Sequence, residues 1–569
     1  MAGIMLIYRH KQLKLPLWEK IESIQKNSDG VSVLYKNETF VLLKKGKENY
    51  PVQVIDRQDY TLVIEGKIYG VDVFNNDNLF RCSHEILFNK NKDESLHHLR
   101  SLDGEFVVYL INKSSKKIVV VNDYLGRLPL YYIQSDHFII GRDIGLIHKL
   151  SGGLEFSDDG VYQYMRLGYP LGNKTLFKNL NRLPPSSFIQ LDKKVSIQNQ
   201  TLSLLEWRES GRRVKNPEQV LYELFKQAVK DRLDAFERPV LSLSGGLDSR
   251  IIMGEIEKDK QSVAYESFLY DHAIIQSDVK IAEQLGEFYN RQVGITTLEE
   301  WSPQYFDELI SAKFGMNYLG MAFIIPFLKK MSAKYDLMLT GDGGDKTLAY
   351  LFPGIQLFTP GIDTRILRAN EITTKSTCVQ LCKFDTNGKE EALLSHLNGY
   401  PYADPKINYK HFLLFERTNN WLFEGEDRNR QYIWSTSPFY HPEFFKVVHS
   451  INENEKKNFQ LYHAFTSLID PELNKISNAN WGFSIRENAK LKKLIYKQHV
   501  KQYVKLVMPR VRTAKQTSEK MKRALNNQLS GKSAERLGLK RNFNISELSQ
   551  ESIFHVLTLL KVAESMERK

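Results

Sequence analysis

The segment from Pro239 to Met253 constrains this chain most, because an apolar strand pattern changes there to a glycine-rich turn and then to a helical pattern. It reads Pro-Val-Leu-Ser-Leu-Ser-Gly-Gly-Leu-Asp-Ser-Arg-Ile-Ile-Met. Two glycines let the backbone bend without Cβ clashes, so N–H groups and the next helix N-terminus can face a bound anion. The pattern predicts a phosphate-binding loop, with these ligand-contacting residues: Leu243, Ser244, Gly245, Gly246 and Ser249.

An aspartate inside this loop predicts a metal ion. The Asp248 carboxylate would repel a bare phosphate, and a divalent cation between the two removes the repulsion, which predicts Mg²⁺. A Walker A loop is excluded, because the pattern Gly-x-x-x-x-Gly-Lys-Ser/Thr requires a lysine that is absent here. An ordinary glycine-rich turn between a strand and a helix is the alternative.

Length and composition favour a folded protein of two or three domains. The 569 residues exceed the size of a single core, and 42% hydrophobic with 26% charged residues is typical of globular chains. Residues 1–8 form a short apolar run without preceding basic residues, which predicts neither a signal peptide nor a membrane span. The cysteines Cys82, Cys378 and Cys382 exclude a disulfide framework and predict buried thiols in a reducing, cytoplasmic setting.

The first two hundred residues have the alternation and turn chemistry of a two-layer β domain. Strands are predicted at 31–35, 61–64, 105–111, 117–121 and 129–133. From about Trp207 the pattern alternates between helix and strand, with a helix over 217–229, a strand over 262–268, and a capped helix from Ser277 that ends at Gly286. This alternation predicts a parallel sheet with ligands at the carboxyl ends of its strands.

A second glycine-rich turn follows the apolar strand pattern Leu337–Leu339. It reads Thr340-Gly341-Asp342-Gly343-Gly344-Asp345. Aspartates in two separate glycine-rich loops suit the oxygen coordination of a hard cation. Two unrelated turns are the alternative.

These motifs, in this order, resemble a known enzyme family. The loop 244–249 is similar to the Ser-Gly-Gly-x-Asp-Ser loop of ATP pyrophosphatases, which split ATP into AMP and pyrophosphate. Segments 102–106, 122–132 and 141–143 resemble the glutaminase domain of asparagine synthetase, and 174–185 resembles the family's connection into the synthetase domain. The resemblance implies an Ntn-hydrolase-like αββα sandwich followed by a parallel-sheet α/β ATP-pyrophosphatase domain. We place the domains at 1–205 and 206–485, with a basic helical extension at 486–569.

The resemblance also implies roles for individual residues of the second half. Asp248 and Asp345 would hold magnesium on the pyrophosphate, Thr340 and Gly341 would approach AMP, and Asp342 would contact the incoming amine. Adenine would lie beside Ser267 and Phe268. Lys346 replaces a second acid of the family, and Lys457 is the candidate for a transition-state lysine, with Lys456 or a surface role left open.

Three departures from the family pattern lie in the first half. The chain has Met1-Ala2-Gly3-Ile4 where working glutaminases have Met-Cys-Gly-Ile, and alanine provides no nucleophile. Glu65 replaces the asparagine that stabilises the oxyanion, and Ser83 replaces the aspartate that binds the glutamine amino group. We therefore expect no glutaminase activity.

The resemblance implies that ATP adenylates a substrate carboxylate and that an amine then displaces AMP to form an amide. The amine could be intramolecular, as in β-lactam synthetase, a peptide N-terminus, as in lasso-peptide cyclases, or free ammonia, as in sugar-acid amidation for surface polysaccharides. The carboxylate substrate is a small molecule or a peptide. Two other classes stay open: a tRNA-thiolating or lysidine-forming enzyme, and a non-catalytic scaffold.

Positive charge is concentrated between Arg486 and Arg541, where fifteen lysines and arginines lie between these two arginines and only three glutamates oppose them. Nucleic acid, an anionic membrane surface or an acidic partner would each suit this run. Aromatic stacking residues are sparse there, which favours a solvated helical face over nucleic acid.

Overall fold

The computed structural model describes residues 1–9, 15–27, 30–46, 50–200, 202–211, 215–270, 275–299, 301–351, 361–507, 518–541 and 543–567. Within them the chain forms a β-rich half, up to residue 200, and an α/β half. Arg510, Arg512 and Lys515 of the basic run lie outside the described residues.

The elements of the β-rich half alternate strands with a few helices. In chain order they are β1 (Gly3–Tyr8), α1 (Leu15–Asn27), β2 (Val31–Lys36), β3 (Phe40–Lys45), β4 (Val52–Asp56), β5 (Tyr60–Ile68), α2 (Asp77–Leu87), α3 (Lys92–Ser101), β6 (Gly104–Asn112), β7 (Ile118–Asn122), β8 (Tyr131–Gln134), β9 (Phe138–Gly141), α4 (Ile144–Ser151), α5 (Asp158–Leu167), β10 (Leu180–Arg182), β11 (Ser187–Leu191) and β12 (Val195–Asn199).

These strands form two antiparallel sheets, in the orders β10-β8-β9-β1-β3-β2 and β12-β11-β7-β6-β5-β4. Alternate side chains of each sheet point to opposite faces. Val63 and Val107 pack against the first sheet, whereas Leu62 and Val108 pack against α2 and α3. Helices α1, α4 and α5 cover the outer face of the first sheet. The predicted αββα sandwich is confirmed.

The α/β half contains the helical elements α6 (Leu204–Gly211), α7 (Pro217–Asp234), α8 (Asp248–Lys258), α9 (Ile275–Phe288), α10 (Phe306–Lys313), α11 (Ile325–Lys334), α12 (Gly344–Thr347), α13 (Ile362–Asn370), α14 (Lys375–Leu381), α15 (Thr386–Asn398), α16 (Pro405–His411), α17 (Phe423–Arg430), α18 (Pro442–Ser450), α19 (Glu453–Lys456), α20 (Gln460–Ile469), α21 (Asn488–Val507), α22 (Glu519–Leu529), α23 (Lys532–Arg536) and α24 (Gln550–Ser565). A π-helix, Phe412–Leu422, leads into α17.

Its strands are β13 (Pro239–Ser242), β14 (Ala264–Tyr270), β15 (Val293–Leu298), β16 (Leu337–Leu339) and β17 (Trp434–Thr436). They pair in the order β15-β14-β13-β16-β17, and every pair is parallel. The predicted parallel α/β sheet is confirmed.

The helix predicted over 277–286 is longer at both ends. It spans Ile275–Phe288 as α9, and the Ser277 hydroxyl donates to the Ala479 carbonyl (3.3 Å) rather than capping the helix. Gly286 lies inside the helix. A Cβ at this position would come within 2.7 Å of the Arg291 carbonyl oxygen, so only glycine fits there. Close packing, not helix termination, explains this glycine.

Helix α17 lies between the two halves, and its charged side chains are buried. Glu426 accepts from Arg127 (2.5 Å), and Asp427 pairs with Arg142. Glu424 pairs with Lys313 (2.6 Å). These contacts join residues that are more than a hundred positions apart in the chain.

The three cysteines are buried and unpaired, as predicted. The C-terminal helix α24 packs against α5 and α10. Within the described part of the chain, no helix combines the length and the apolar character needed to cross a membrane. The division into domains at 205/206 and 485/486 stays a prediction.

Candidate active site

The two glycine-rich loops emerge side by side at the carboxyl edge of the parallel sheet. Strands β13 and β16 are neighbours, with Leu241 paired to Leu339. The carboxyl ends of adjacent parallel strands open into the same crevice, which is where ligands of such sheets bind. The structure therefore brings the two predicted motifs together.

Glycines allow the loops to touch. A Cβ on Gly341 would lie 2.8 Å from the Ser249 backbone nitrogen, and a Cβ on Gly344 would lie 2.4 Å from the Asp248 side-chain oxygen Oδ1. Both distances are shorter than real Cβ contacts. Any side chain at Gly341 or Gly344 would push the loops apart.

The first loop holds its donors in place through its own serines. The Ser244 backbone N–H donates to Ser249 Oγ (3.0 Å), and the Gly246 N–H donates to Ser244 Oγ (3.3 Å). The Gly245 N–H is not free, because it donates to Asp278 Oδ1 (3.1 Å). In this structure a protein carboxylate therefore occupies the Gly245 N–H that the sequence predicts to face a phosphate.

Asp248 lies at the start of α8 and is partly buried. Tyr462 Oη donates a hydrogen bond to Asp248 Oδ1 (2.5 Å). Burial, and then the nearby Asp345 carboxylate, raise the pKa of Asp248 to about 7. The two carboxylates therefore repel each other in the absence of a cation.

Asp345 lies across the crevice on α12, and its carboxylate pairs with the Lys346 ammonium group. Among the described residues, no group of three or more His, Cys, Asp or Glu side chains forms a protein-only metal site. Magnesium is commonly held by one or two carboxylates together with substrate phosphates. Two mutually repelling aspartates beside a phosphate loop fit that arrangement.

Asp342 lies in the second loop, between Asp345 and β16, and is exposed to solvent. It accepts from Thr340 Oγ1 (3.2 Å), and its backbone carbonyl accepts from Ser437 Oγ (2.6 Å). Surrounding protein, followed by the charge of Glu426, raises the pKa of Asp342 to about 6. The Asp342 carboxylate is available to a cationic or amine-bearing ligand.

The residues predicted to contact adenine flank the first loop. Strand β14 extends beyond the end of β13. The last pair between the two strands is Ser242 with Glu266, and Ser267 and Phe268 follow on β14. The Leu243 N–H donates to the Glu266 carbonyl (2.8 Å). Ser267 is buried, and the Phe268 ring packs on Phe327.

The two candidate lysines differ sharply. Lys457 is exposed, with its ammonium group 5.8 Å from the centre of the Tyr350 ring. Lys456 is fully buried and donates to the Thr347 carbonyl (3.0 Å), and burial lowers its pKa to about 7. Left-handed backbone at Asn458 (φ 51°) turns the chain directly after them. No contact joins the Lys457 side chain to the aspartates among the bonds of the described residues, so its catalytic role stays a prediction.

Ala2, where the resemblance implies a cysteine nucleophile, precedes a residue that lies close to Glu65, since a Cβ on Gly3 would be 2.6 Å from Glu65 Oε1. Ala2 is buried, and its N–H donates to Gln431 Oε1 (2.9 Å). Glu65 accepts from Tyr50 Oη (2.8 Å) and pairs with Arg142 (2.9 Å).

Ser83 lies on α2 and donates to the Leu79 carbonyl (2.7 Å), within its own helix. Ala2 packs in the core between the two sheets, whereas α2 covers the outer face of the second sheet, so Ser83 and Ala2 lie on opposite sides of that sheet.

Sequence patterns did not single out Tyr462, Asp278 or the acids of α17. Both contact the first loop from distant segments: Tyr462 donates to Asp248, and Asp278 accepts from the Gly245 N–H. The α17 sequence Phe-Glu-Gly-Glu-Asp-Arg-Asn-Arg has the composition of a surface helix. Its burial depends on cations from distant segments, which no local pattern reveals.

Family comparisons agree with the order of the two halves. A family described as "Glutamine amidotransferase domain" matches residues 39–201, and a family described as "Asparagine synthase" matches residues 220–358. The chain is 26% identical over 205 residues to a probable glutamine-hydrolysing asparagine synthetase of Acanthamoeba polyphaga mimivirus. That alignment covers 34% of this chain and 35% of the relative, so the chain spans about a third of the length of the relative it matches.

Solved structures give weaker likenesses. The glutamine phosphoribosylpyrophosphate amidotransferase of B. subtilis, complexed with ADP and GMP, aligns over 52% of this chain and 81% of its own length. Its identity is 10% and its TM-score 0.24. A structure described as the allosteric regulatory enzyme of purine biosynthesis aligns over 52% and 80%, with identity 10% and TM-score 0.21. Scores this low support no argument about the fold.

The two matched families follow each other along the chain in the order of its β-rich and α/β halves. The mimivirus synthetase adds a relative of the same kind. Two successive segments of the chain, residues 39–201 and 220–358, are thus similar to the two parts of asparagine synthetases.

Proposed function

We propose that this protein is an ATP-dependent, AMP-forming ligase that adenylates a carboxylate and joins it to an amine that does not come from its own glutamine hydrolysis. The observation that supports this most directly is the contact between the two aspartate loops, with Gly341 and Gly344 packed against the start of α8. The two loops bring Asp248, Asp342 and Asp345 together beside the glycine-rich turn 244–246.

In the first step, a substrate carboxylate oxygen attacks the α-phosphorus of ATP. The bond from the α-phosphorus to the bridging oxygen breaks, and pyrophosphate leaves with that oxygen. Asp248 and Asp345 would hold Mg²⁺, which supplies Lewis-acid neutralisation of the developing pyrophosphate charge. Ser244, Gly246 and Ser249 would orient the phosphates, and Lys346 would add a cation. Ser267 and Phe268 would border adenine.

In the second step, an amine nitrogen attacks the acyl carbon, the acyl–oxygen bond breaks, AMP leaves, and the nitrogen loses a proton. Asp342 is positioned to bind that amine, since its carboxylate opens into the cleft and a raised pKa lets it accept a proton near neutral pH. Thr340 and Gly341 would face AMP.

We infer that the glutaminase site is lost, because Ala2 has no nucleophile and Glu65 already pairs with Arg142. The amine would then be carried by the substrate, as in peptide macrocyclisation or β-lactam-type ring closure. Ammonia-dependent amidation of a sugar acid is the alternative. The three unpaired, buried thiols would suit a cytoplasmic enzyme.

Exchange of labelled pyrophosphate into ATP tests the adenylation step, with peptide, β-amino-acid and sugar-acid carboxylates as substrates. We expect exchange with at least one class, and a loss of at least about a hundredfold in Asp248→Asn. Asp404→Asn is the matched control, because Asp404 is exposed and only caps a helix, as asparagine also does. Background exchange with every class would favour a non-catalytic scaffold. Sustained release of glutamate from glutamine would contradict the loss of the glutaminase.

A further inference from the structure

The exposed face of α21 combines lysines with apolar side chains. Large hydrophobic residues are exposed there at helical spacing: Tyr496 (65%), Val500 (38%) and Val504 (46%). Residues i and i+4 of a helix lie on the same face, so these three form one stripe. Lys493, Lys497 and Lys501 are also exposed and flank the stripe. We call these six residues the α21 face.

The charge of α21 has one sign. Its twenty residues contain no aspartate or glutamate, and its lysines are Lys490, Lys492, Lys493, Lys497, Lys501 and Lys505. Lys490 pairs with Glu487 at the start of the helix, and no ion pair of the described residues joins the three lysines of the α21 face to an acid. The α21 face is therefore a net positive surface around an apolar stripe.

The helix is anchored through its other face. Leu491 is fully buried, and Ile495 packs against the core of the α/β half. Glu487 also accepts from the Ser484 N–H (3.1 Å), which fixes the turn before the helix. The stripe is thus held outward by packing on the opposite side.

We propose that the α21 face binds an anionic lipid membrane surface. Lysines are attracted to negatively charged headgroups, and valine and tyrosine side chains gain by entering the boundary between headgroups and acyl chains. Nucleic acid would satisfy the lysines but offers valine no apolar phase, and single-strand binding relies on several aromatic rings. The lysines and the apolar stripe together therefore fit an anionic lipid surface better than they fit nucleic acid.

Co-sedimentation of the full-length protein with vesicles tests this proposal. We expect binding to phosphatidylcholine mixed with phosphatidylglycerol to be at least about tenfold stronger than to phosphatidylcholine alone, and to weaken as salt is raised. Equal binding to both vesicle types, or binding to neither, would overturn the proposal.

Two sets of substitutions separate the charge from the stripe. Lys493→Gln, Lys497→Gln and Lys501→Gln together should remove the preference for anionic vesicles, and Val500→Ser with Val504→Ser should weaken binding at unchanged charge. The matched controls are the exposed residues Lys178, Lys193 and Lys194 changed to Gln, and Val54→Ser. Binding of both α21 variants at the wild-type level would contradict the proposal.

Competition identifies the class of partner. If single-stranded RNA or an acidic protein displaces the protein from anionic vesicles, and Val500→Ser with Val504→Ser has no effect on vesicle binding, the surface serves that partner and the lipid proposal fails. Pyrophosphate exchange should be unchanged in every α21 variant, because no α21 face residue contacts the candidate active site. The proposal is therefore independent of the ligase assignment.

Discussion

Asp248 and Asp427 are both aspartates enclosed by protein, yet their pKa values shift in opposite directions. Burial and the neighbouring Asp345 raise the pKa of Asp248 to about 7. Burial alone would raise the pKa of Asp427 as well, but Arg142 and Lys313 lower it to about 2. Asp248 lies beside a second carboxylate, as expected for a site that binds a cation. Asp427 is instead neutralised by cationic side chains of the protein itself.

The largest expected effect comes from breaking the paired region. Arg142→Met removes the cation paired with Glu65 and one of the two cations paired with Asp427, so we expect a loss of about 3 to 5 kcal/mol in stability. Urea unfolding measures it. Arg81→Met is the control, because Arg81 pairs with Glu85 at the surface and its loss should cost less than about 1 kcal/mol. Equal effects of the two substitutions would show that the buried network contributes nothing special.

The opposite sign is expected at Asp248. A carboxyl group whose pKa rises on folding binds a proton more tightly in the folded state, so stability falls as pH rises from about 4 to about 7. Asp248→Asn removes this cost and should stabilise the metal-free protein by about 1 to 3 kcal/mol above pH 7, with no gain below about pH 4.

Urea midpoints in chelator across this pH range provide the test, with Asp404→Asn as the variant that should show no such trend. A destabilised Asp248→Asn protein at every pH would mean that Asp248 is a structural residue.

A smaller effect is expected at Tyr462, which orients Asp248 through a 2.5 Å hydrogen bond. Tyr462→Phe should weaken the affinity for ATP with magnesium about tenfold, as loss of a partner that orients a metal ligand typically does. Tyr289→Phe is the matched control, since Tyr289 makes the same kind of bond to Asp470 (2.8 Å) away from the cleft. Calorimetric titration of ATP with magnesium should give a weaker affinity for Tyr462→Phe than for Tyr289→Phe. Equal affinities would show that Tyr462 does not contribute to the site.

No effect is expected from restoring the nucleophile alone. Ala2→Cys supplies a thiol, but Glu65 still replaces the asparagine that the resemblance implies for stabilising the oxyanion, and a carboxylate repels an oxyanion. Release of glutamate from glutamine should stay at the wild-type background in an enzyme-coupled assay. Substantial hydrolysis by this variant would mean that the rest of the glutaminase site is intact.

The local patterns predicted five strands of the β-rich half and both glycine-rich loops, because strand–turn–helix junctions are encoded by neighbouring residues. The pairing of the two loops was implied by the family resemblance. The local patterns did not predict the extent of α9, because close packing against Arg291, and not a helix end, requires a glycine at position 286. They did not separate Lys456 from Lys457, because the burial of Lys456 depends on a tertiary contact with the Thr347 carbonyl. The burial of α17 depends on Arg127 and Arg142, which lie almost three hundred residues away.

The central claim is that Asp248, which forms no ion pair with a cationic side chain of the described residues, holds magnesium together with ATP. Calorimetric titration of ATP into the protein with magnesium and with chelator tests this without knowledge of the carboxylate substrate. The account predicts binding at least about tenfold tighter with magnesium, and loss of that difference in Asp248→Asn. Equal affinity for ATP with and without magnesium in the wild-type protein would contradict it.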